Sequence, residues 1–330
     1  MKLIIQIPCY NEEQTLAATL AELPEYIDGV DEIEVLIIDD GSTDRTLEVA
    51  RENGVTHICQ HKSNQGLGRA FRNGLELALK EGADVIVNTD GDGQYCGRDI
   101  AVLVQPVLAG EADIVVGDRN TAANTEFSFL KRRLQWLGSH VVRSLSGTNI
   151  PDAVSGFRAI SRGAALQLNI ISRFTYTVEM LIQAGNRDMT VTSVPVRTNP
   201  KTRESRLFRN VPEFIARQLV GMIRMYAMYR PMRFFFYIGT VLCLLGSLPV
   251  MRFLYHYFRD GGAGYIQSLM LGGSLLTIGV IVFVTGLLSD LISQNRQLNE
   301  MSLQRIREME LREISRSRAV EESKSELSGE

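Results

Sequence analysis

Asp84-Val85-Ile86-Val87-Asn88-Thr89-Asp90-Gly91-Asp92-Gly93-Gln94 passes without a break from a short apolar segment into a turn that carries two carboxylates and an amide. The segment 84–88 is brief and nearly all apolar, which predicts a strand buried on both faces, as in a parallel sheet. The turn then projects Asp90, Asp92 and Gln94 from the carboxyl edge of that sheet, where open α/β sheets bind ligands. Oxygen donors of this kind suit Mg²⁺ or Mn²⁺, ions that share their shell with substrate phosphates and water. An acidic turn satisfied by solvent and backbone amides is the other reading of the same residues.

Outward from this stretch the pattern repeats. Residues 3–7, 35–38 and 114–116 predict further buried strands, and carboxylates follow the last two at Asp39, Asp40 and Asp118. Helix-like spacing fills residues 12–23, 44–53, 66–80 and 100–108, and the alternation continues to about residue 196. The prediction is an α/β domain with a Rossmann-like, mostly parallel sheet. Pro8-Cys9-Tyr10-Asn11-Glu12-Glu13 and Asp39-Asp40-Gly41-Ser42-Thr43-Asp44 end neighbouring strands, so Asn11, Glu12, Asp39 and Asp40 would face a base and ribose hydroxyls. Ser42, Thr43 and Asp44 read as helix caps.

The chain has 330 residues, enough to bury a core, with 35 Lys+Arg against 38 Asp+Glu and a net charge of −3. That balance gives no global attraction to nucleic acid. Cys9, Cys59, Cys96 and Cys243 lack zinc or disulfide spacing and predict a reducing compartment. The apolar run after Lys2 ends at Pro8, too short for a signal peptide, which predicts a cytoplasmic amino-terminal part.

Beyond Pro200 the composition changes. Phe208, Val211, Ile215, Leu219, Met222, Tyr226 and Tyr229 recur at steps of three and four, with Arg209, Arg217, Arg224 and Arg230 among them. This predicts an amphipathic helix over 206–233, either lying on anionic headgroups or facing a core. Residues 234–251 and 261–289 are uncharged runs of 18 and 29 residues, long enough to cross a bilayer, with 252–260 as a short loop between them. Arginines before the first run (217, 224, 230, 233) and after the second (296, 305, 307) outnumber Arg252 and Arg259 in the loop, which places both termini in the cytoplasm. Gly272, Gly273, Gly279 and Gly286 offer surfaces for close helix packing or a homo-oligomer. Residues 290–330 predict a charged helix fading into a disordered tail, with a partner-binding coiled coil as the other reading. The domain plan is therefore 1–205 catalytic, 206–233 juxtamembrane, 234–289 spanning and 290–330 tail.

The three loops in this order resemble the family 2 glycosyltransferases of GT-A fold, which use nucleotide-activated sugars. Asn64-Gln65-Gly66-Leu67-Gly68-Arg69-Ala70, Val116-Gly117-Asp118-Arg119, Asp152-Ala153-Val154-Ser155-Gly156-Phe157-Arg158, and Phe174 with Glu179 resemble the polyprenyl-phosphate branch. With two carboxy-terminal spans, the resemblance is to bacterial undecaprenyl-phosphate glucosyltransferases of the GtrB type, to ArnC and to dolichyl-phosphate mannose synthase, over about residues 3–290.

The resemblance implies that Asp39 holds uracil or ribose, with Pro8, Tyr10, Asn11 and Glu12 lining the nucleotide pocket. It implies that Asp90 contacts nucleotide and metal, that Asp92 and Gln94 ligate Mg²⁺ or Mn²⁺, and that Arg119 faces the acceptor phosphate. Arg203 and Arg206 would clamp the diphosphate or the lipid phosphate, with Arg206 standing where related enzymes often carry lysine. Asp152 is a candidate base or orienting group. Surface pairing of Arg119 with Asp118, and a structural bridge from Asp152 to Arg158, are the alternatives. A lipid phosphate is largely dianionic at neutral pH, so direct inverting attack needs little help from a base. The implied reaction moves one sugar, glucose from UDP-glucose foremost, onto undecaprenyl phosphate at the cytoplasmic membrane face. UDP-4-amino-4-deoxyarabinose, GDP-mannose or an N-acetylhexosamine donor, a diacylglycerol acceptor, and a non-catalytic nucleotide-sugar-binding scaffold are the competing readings. The only tryptophan, Trp136, directly follows Gln135, which departs from the Gln-x-x-Arg-Trp motif of processive polysaccharide synthases.

Overall fold

A computed structural model describes residues 1–119, 143, 146–148, 150–173, 176–199, 220, 223, 224, 226–261 and 265–328. Trp136, Phe174, Arg203, Arg206 and most of the predicted amphipathic helix lie outside the described residues. The chain divides into two units, Met1–Leu207 with Ser302–Glu330, and Phe208–Met301.

The first unit is built on a seven-stranded sheet of order β3-β2-β1-β4-β6-β5-β7. Its strands are β1 (Lys2–Cys9), β2 (Glu32–Asp39), β3 (His57–Gln60), β4 (Val85–Asn88), β5 (Ile114–Asp118), β6 (Arg158–Ser161) and β7 (Val191–Pro195). Leu3, Ile4, Ile5 and Ile7 of β1 are all fully buried, as a central strand covered on both faces requires. β1 runs parallel to β2 and β4, in a register that sets Cys9 beside Asp39 and Gln6 beside Asn88. The sheet is mixed: β6 is antiparallel to both β4 and β5, and β7 is parallel to β5. β1, β2, β4 and β5 therefore end at one edge.

Helices α1 (Leu16–Ala21), α2 (Thr46–Glu52), α3 (Leu67–Lys80), α4 (Ile100–Leu108), α5 (Arg162–Gln167) and α6 (Thr177–Asn186) complete the α/β layers. One core joins Leu3, Ile5 and Ile7 to Ile100, Leu103 and Val104 of α4 and to Phe157. On α3, Gly66 and Gly68 lie against the backbone of Ser172 and Arg173, where a side chain would collide, and the Gly68 amide donates to the Arg173 carbonyl (3.1 Å).

The second unit holds α7 (Pro231–Asp260) and the start of α8 (Ile266–Ser328). Both are long and apolar enough to cross a membrane, with mean hydropathies of 2.0 and 2.3 over their most apolar windows. The predicted loop 252–260 is helical in the structure: α7 continues to Asp260 and stops where Gly261 takes the left-handed conformation (φ 73°). The predicted fading tail is likewise helical, since α8 runs to Ser328.

Along the hairpin, Gly272, Gly279 and Gly286 stand seven residues apart and face α7, where added β-carbons would meet Val250, Cys243 and Phe235. Gly246 and Gly239 answer them from α7. Gly273 faces open space and takes no part in this seam.

Candidate active site

The ends of β1 and β2 are stitched together by their own polar side chains. The Asn11 amide donates to Ser42 Oγ (2.9 Å), the Thr43 amide donates to Asn11 Oδ1 (2.8 Å), and the Glu12 amide donates to Thr46 Oγ1 (2.8 Å). Asn11 adopts φ 57° to make this crossing, a conformation asparagine tolerates better than most residues. Ser42 and Thr43 thus serve the neighbouring loop rather than capping a helix. Asp44 stands one residue before the N-cap, Arg45, and its Oδ1 accepts the Thr46 amide (3.0 Å) at the start of α2.

Asp39 is fully buried at the end of β2. Its Oδ1 accepts the Ser42 amide (3.1 Å), while its Oδ2 has no hydrogen-bond partner among the described residues. Asp40 does not face a ligand as the sequence suggests. It accepts His61 Nδ1 (2.7 Å) and the amides of Gln65 and Gly66 (2.8 Å each), which fixes the loop entering α3. Pro8 is buried within β1, Tyr10 is exposed, and Glu12 is buried with its carboxylate accepting from Thr15 Oγ1 (3.1 Å).

The turn after β4 is anchored to this region by Thr15, whose hydroxyl donates to the Gly91 carbonyl (2.9 Å). Asp90 is pushed up to about 7, first by burial and then by repulsion from Asp92 and Glu12, against the pull of Arg119. The Gln94 amide donates to Asp92 Oδ1 (3.0 Å). Burial pushes the Cys9 thiol well up, aided by Glu12, Asp39, Asp90 and Asp44, so four acids surround the end of β1. Among the described residues no three His, Cys, Asp or Glu side chains form a metal cage. Two mutually repelling carboxylates at an open edge nonetheless fit a hard divalent cation that takes its remaining ligands from substrate and water.

Arg119, at the end of β5, forms a forked pair with Asp152: Nε to Oδ2 is 2.7 Å and Nη2 to Oδ1 is 3.0 Å. Asp152 is 1 % exposed at its side chain and Arg119 16 %. The two candidate catalytic residues are thus each other's partners, which replaces the alternatives that paired Arg119 with Asp118 and Asp152 with Arg158. Burial works against the Arg119 charge, but the Asp152 carboxylate it is forked to, with Asp90 behind, outweighs it and holds the guanidinium protonated. Arg158 is wholly buried and donates to the carbonyls of Ser155 (2.9 Å), Thr177 (2.7 Å) and Ala153 (2.9 Å). Burial pushes it down to about 10. It holds the 153–158 turn from behind.

Sequence reading missed three residues here. The Gly156 amide donates to Tyr95 Oη (3.0 Å), and its carbonyl accepts from Asn88 Nδ2 (2.9 Å) and Tyr176 Oη (3.0 Å). Gln6 Nε2 donates to Asn88 Oδ1 (3.0 Å), and the Tyr176 ring stacks on Phe71 at 3.8 Å. A β-carbon on Gly156 would stand 3.1 Å from the Asp90 carboxylate. This buried network therefore sets the floor beneath Asp90. Burial pushes the Tyr95 phenol up to about 12, so it stays neutral. Asn199 is a further tie: its amide donates to the Gln94 carbonyl (2.9 Å) and its Nδ2 to that of Gly93 (3.0 Å). An asparagine before proline carries no such signal in sequence.

Comparison with known proteins places the chain in a family. The family described as Glycosyl transferase family 2 matches residues 4–168, and the GtrB C-terminal hairpin matches residues 230–295. The undecaprenyl-phosphate mannosyltransferase of Micrococcus luteus is 29 % identical over 206 residues, covering 59 % of this chain and 83 % of that protein. The UDP-N-acetylglucosamine--dolichyl-phosphate N-acetylglucosaminyltransferase of Methanococcus voltae is 30 % identical over 216 residues, covering 58 % and 83 %. Among solved structures, glucosyl-3-phosphoglycerate synthase from Mycobacterium tuberculosis shares the fold, with a TM-score of 0.54 at 20 % identity over 68 % of this chain and 79 % of that one. The chain belongs to glycosyl transferase family 2 and carries a carboxy-terminal hairpin of the GtrB kind.

Proposed function

We propose that this protein is a membrane-anchored, inverting glycosyltransferase that moves a single sugar, glucose from UDP-glucose foremost, onto undecaprenyl phosphate at the cytoplasmic membrane face. The observation that carries the reading is the joining, in one chain, of a family 2 catalytic module to a hairpin of two apolar helices. A polyprenyl chain does not leave the bilayer, so a head that serves it must be tethered there. Arginines flanking the hairpin favour a head and termini on the cytoplasmic side. The Micrococcus and Methanococcus relatives are named for transfer to undecaprenyl and dolichyl phosphate, which supports a polyprenyl phosphate acceptor.

Asp39, with its buried Oδ2, binds uracil or ribose in this reading, beside Pro8, Tyr10, Asn11 and Glu12. Asp90, Asp92 and Gln94 would hold Mg²⁺ or Mn²⁺, whose charge offsets that of the diphosphate. Structures of the fold neighbour with UDP together with Mn²⁺ or Mg²⁺ motivate the assignment of a divalent cation here. Arg119 orients the acceptor phosphate with the donors left over from its fork to Asp152. Asp152 fixes that guanidinium and, being already committed to it, serves as an orienting carboxylate more than as a base; the dianionic acceptor needs none. Arg203 and Arg206 are assigned to the diphosphate or the lipid phosphate.

The test is transfer from labelled UDP-glucose to undecaprenyl phosphate by the purified full-length protein, with a panel of GDP-mannose, UDP-4-amino-4-deoxyarabinose and UDP-N-acetylglucosamine. Product should appear with Mg²⁺ or Mn²⁺, vanish with EDTA, and fall at least ~100-fold in Asp92→Ala. Metal-independent transfer, or full activity in Asp92→Ala, contradicts the metal assignment. UDP binding without transfer from any donor of the panel favours the nucleotide-sugar-binding scaffold, and absence of both overturns the proposal.

A further inference from the structure

At the base of the hairpin, in the second unit, one arginine is enclosed without acceptors. Arg296 lies on α8 seven residues past Ser289, about 10 Å of helix beyond the uncharged run. Its guanidinium stacks over the Tyr229 ring, 4.4 Å from the centroid. One turn earlier, Ser293 Oγ donates to the Met228 carbonyl (3.1 Å), so the segment entering α7 and the start of this stretch of α8 are joined here. Nε, Nη1 and Nη2 are all shielded from solvent, and none has a hydrogen-bond acceptor among the described residues. Glu300 Oε1 stands 3.4 Å from Nε, an ion pair without hydrogen-bond geometry, and leaves the two terminal amino groups unused.

A guanidinium carries five N–H donors in a planar fork and stays charged under all ordinary conditions. Enclosing that charge without acceptors is costly, and the cost is removed by an anion that accepts two N–H groups at once. Phosphate oxygens match the fork, and Arg stacked on an aromatic ring is already oriented to present it. On the membrane-anchored reading above, this depth is the headgroup layer, where lipid phosphates lie. The Arg296 side chain is 21 % exposed, so a small change in its terminal torsions opens the outer edge of the fork to an anion while the Tyr229 ring stays behind it. We propose that Arg296, backed by Tyr229, binds the phosphate of a lipid at the membrane surface.

Two lipids supply that chemistry: a polyprenyl phosphate and an anionic phospholipid. They are separated by thermal unfolding of the full-length protein in detergent with undecaprenyl phosphate, dioleoylphosphatidylglycerol, or undecaprenol, which lacks the phosphate. The wild-type midpoint should rise with one or both phosphate lipids and not with undecaprenol. Arg296→Gln should lose more than half of that rise and require ~10-fold more lipid for what remains, as for a lost charged hydrogen bond. Arg259→Gln, at the other end of the hairpin, should keep the whole rise. A rise with undecaprenyl phosphate alone assigns the site to the acceptor, and a rise with both assigns it to lipid phosphate in general. Where Arg296→Gln does not purify as a folded species, Arg296→Lys keeps the charge without the fork and should show a partial loss. No rise in the wild type, or an unchanged rise in the folded variant, overturns the inference. The readout needs no sugar donor: lost transfer with an Arg296-dependent shift defeats the proposed function alone, and intact transfer with no such shift defeats this inference alone.

Discussion

Gly156 has no side chain, yet it decides where the Asp90 carboxylate can stand. Tyr95, Asn88 and Tyr176 hold its N–H and carbonyl, and its missing β-carbon, which would stand only 3.1 Å from Asp90 Oδ1, leaves that carboxylate its place. Gly156→Ala should displace Asp90 by a few tenths of an ångström and lower metal-dependent transfer ~10–100-fold, since small misplacements in a reacting centre are expensive. Far-UV circular dichroism and the unfolding midpoint should change little. Wild-type turnover in this variant would show that Asp90 does not need that position. Sequence pattern singles out Asp39, Asp90 and Asp92 because carboxylates at strand ends stand out from apolar runs, and Asp152 as a lone carboxylate before a turn, whereas Arg119 stands out only through the family resemblance. Tyr95, Asn88 and Tyr176 were invisible because aromatic and amide residues next to a strand read as ordinary core. Asp40 misled for a related reason: one sequence does not reveal that His61 and two loop amides already occupy a carboxylate.

Elements with a strong period were legible in the sequence, and those without it were not. α4 occupies 100–108 as its spacing predicts. α1 begins at Leu16 rather than near residue 12 because Asn11 to Thr15 are spent on the crossing to β2 and on the Gly91 turn. β6 escaped notice because it has four residues and opens with Arg158, a charge that defeats an apolar-run reading and is buried only by grace of three carbonyls. In the hairpin, glycine content suggested close packing, but only helix phase distinguishes Gly279, against Cys243, from Gly273, which faces open space. Gly279→Leu should destabilise the hairpin by about 1–3 kcal/mol, the usual cost of overpacking. Gly273→Leu should be nearly neutral. Unfolding midpoints in one detergent compare them directly, and equal effects would contradict the seam.

At the scale of the whole chain, the catalytic module and the apolar hairpin were both legible in composition, while the fate of the last forty residues was not. The segment from Ser302 belongs to the first unit, where Arg307 donates to the Leu168 carbonyl (3.2 Å), Lys80 pairs with Glu310 (3.5 Å) and Leu311 is buried. Irregular apolar spacing hides such a contact, because a helix that docks through a leucine, an ion pair and a hydrogen bond to a carbonyl needs no repeat. The account as a whole requires that a phosphate-bearing polyprenyl lipid be the acceptor. The most direct measurement offers labelled UDP-glucose, or whichever donor the panel selects, to the full-length protein with undecaprenyl phosphate, undecaprenol or diacylglycerol in parallel, and resolves the lipid products by mass spectrometry. The account predicts one glycosyl phosphate lipid, formed from undecaprenyl phosphate alone. Transfer to the hydroxyl of undecaprenol or diacylglycerol at a comparable rate would contradict it.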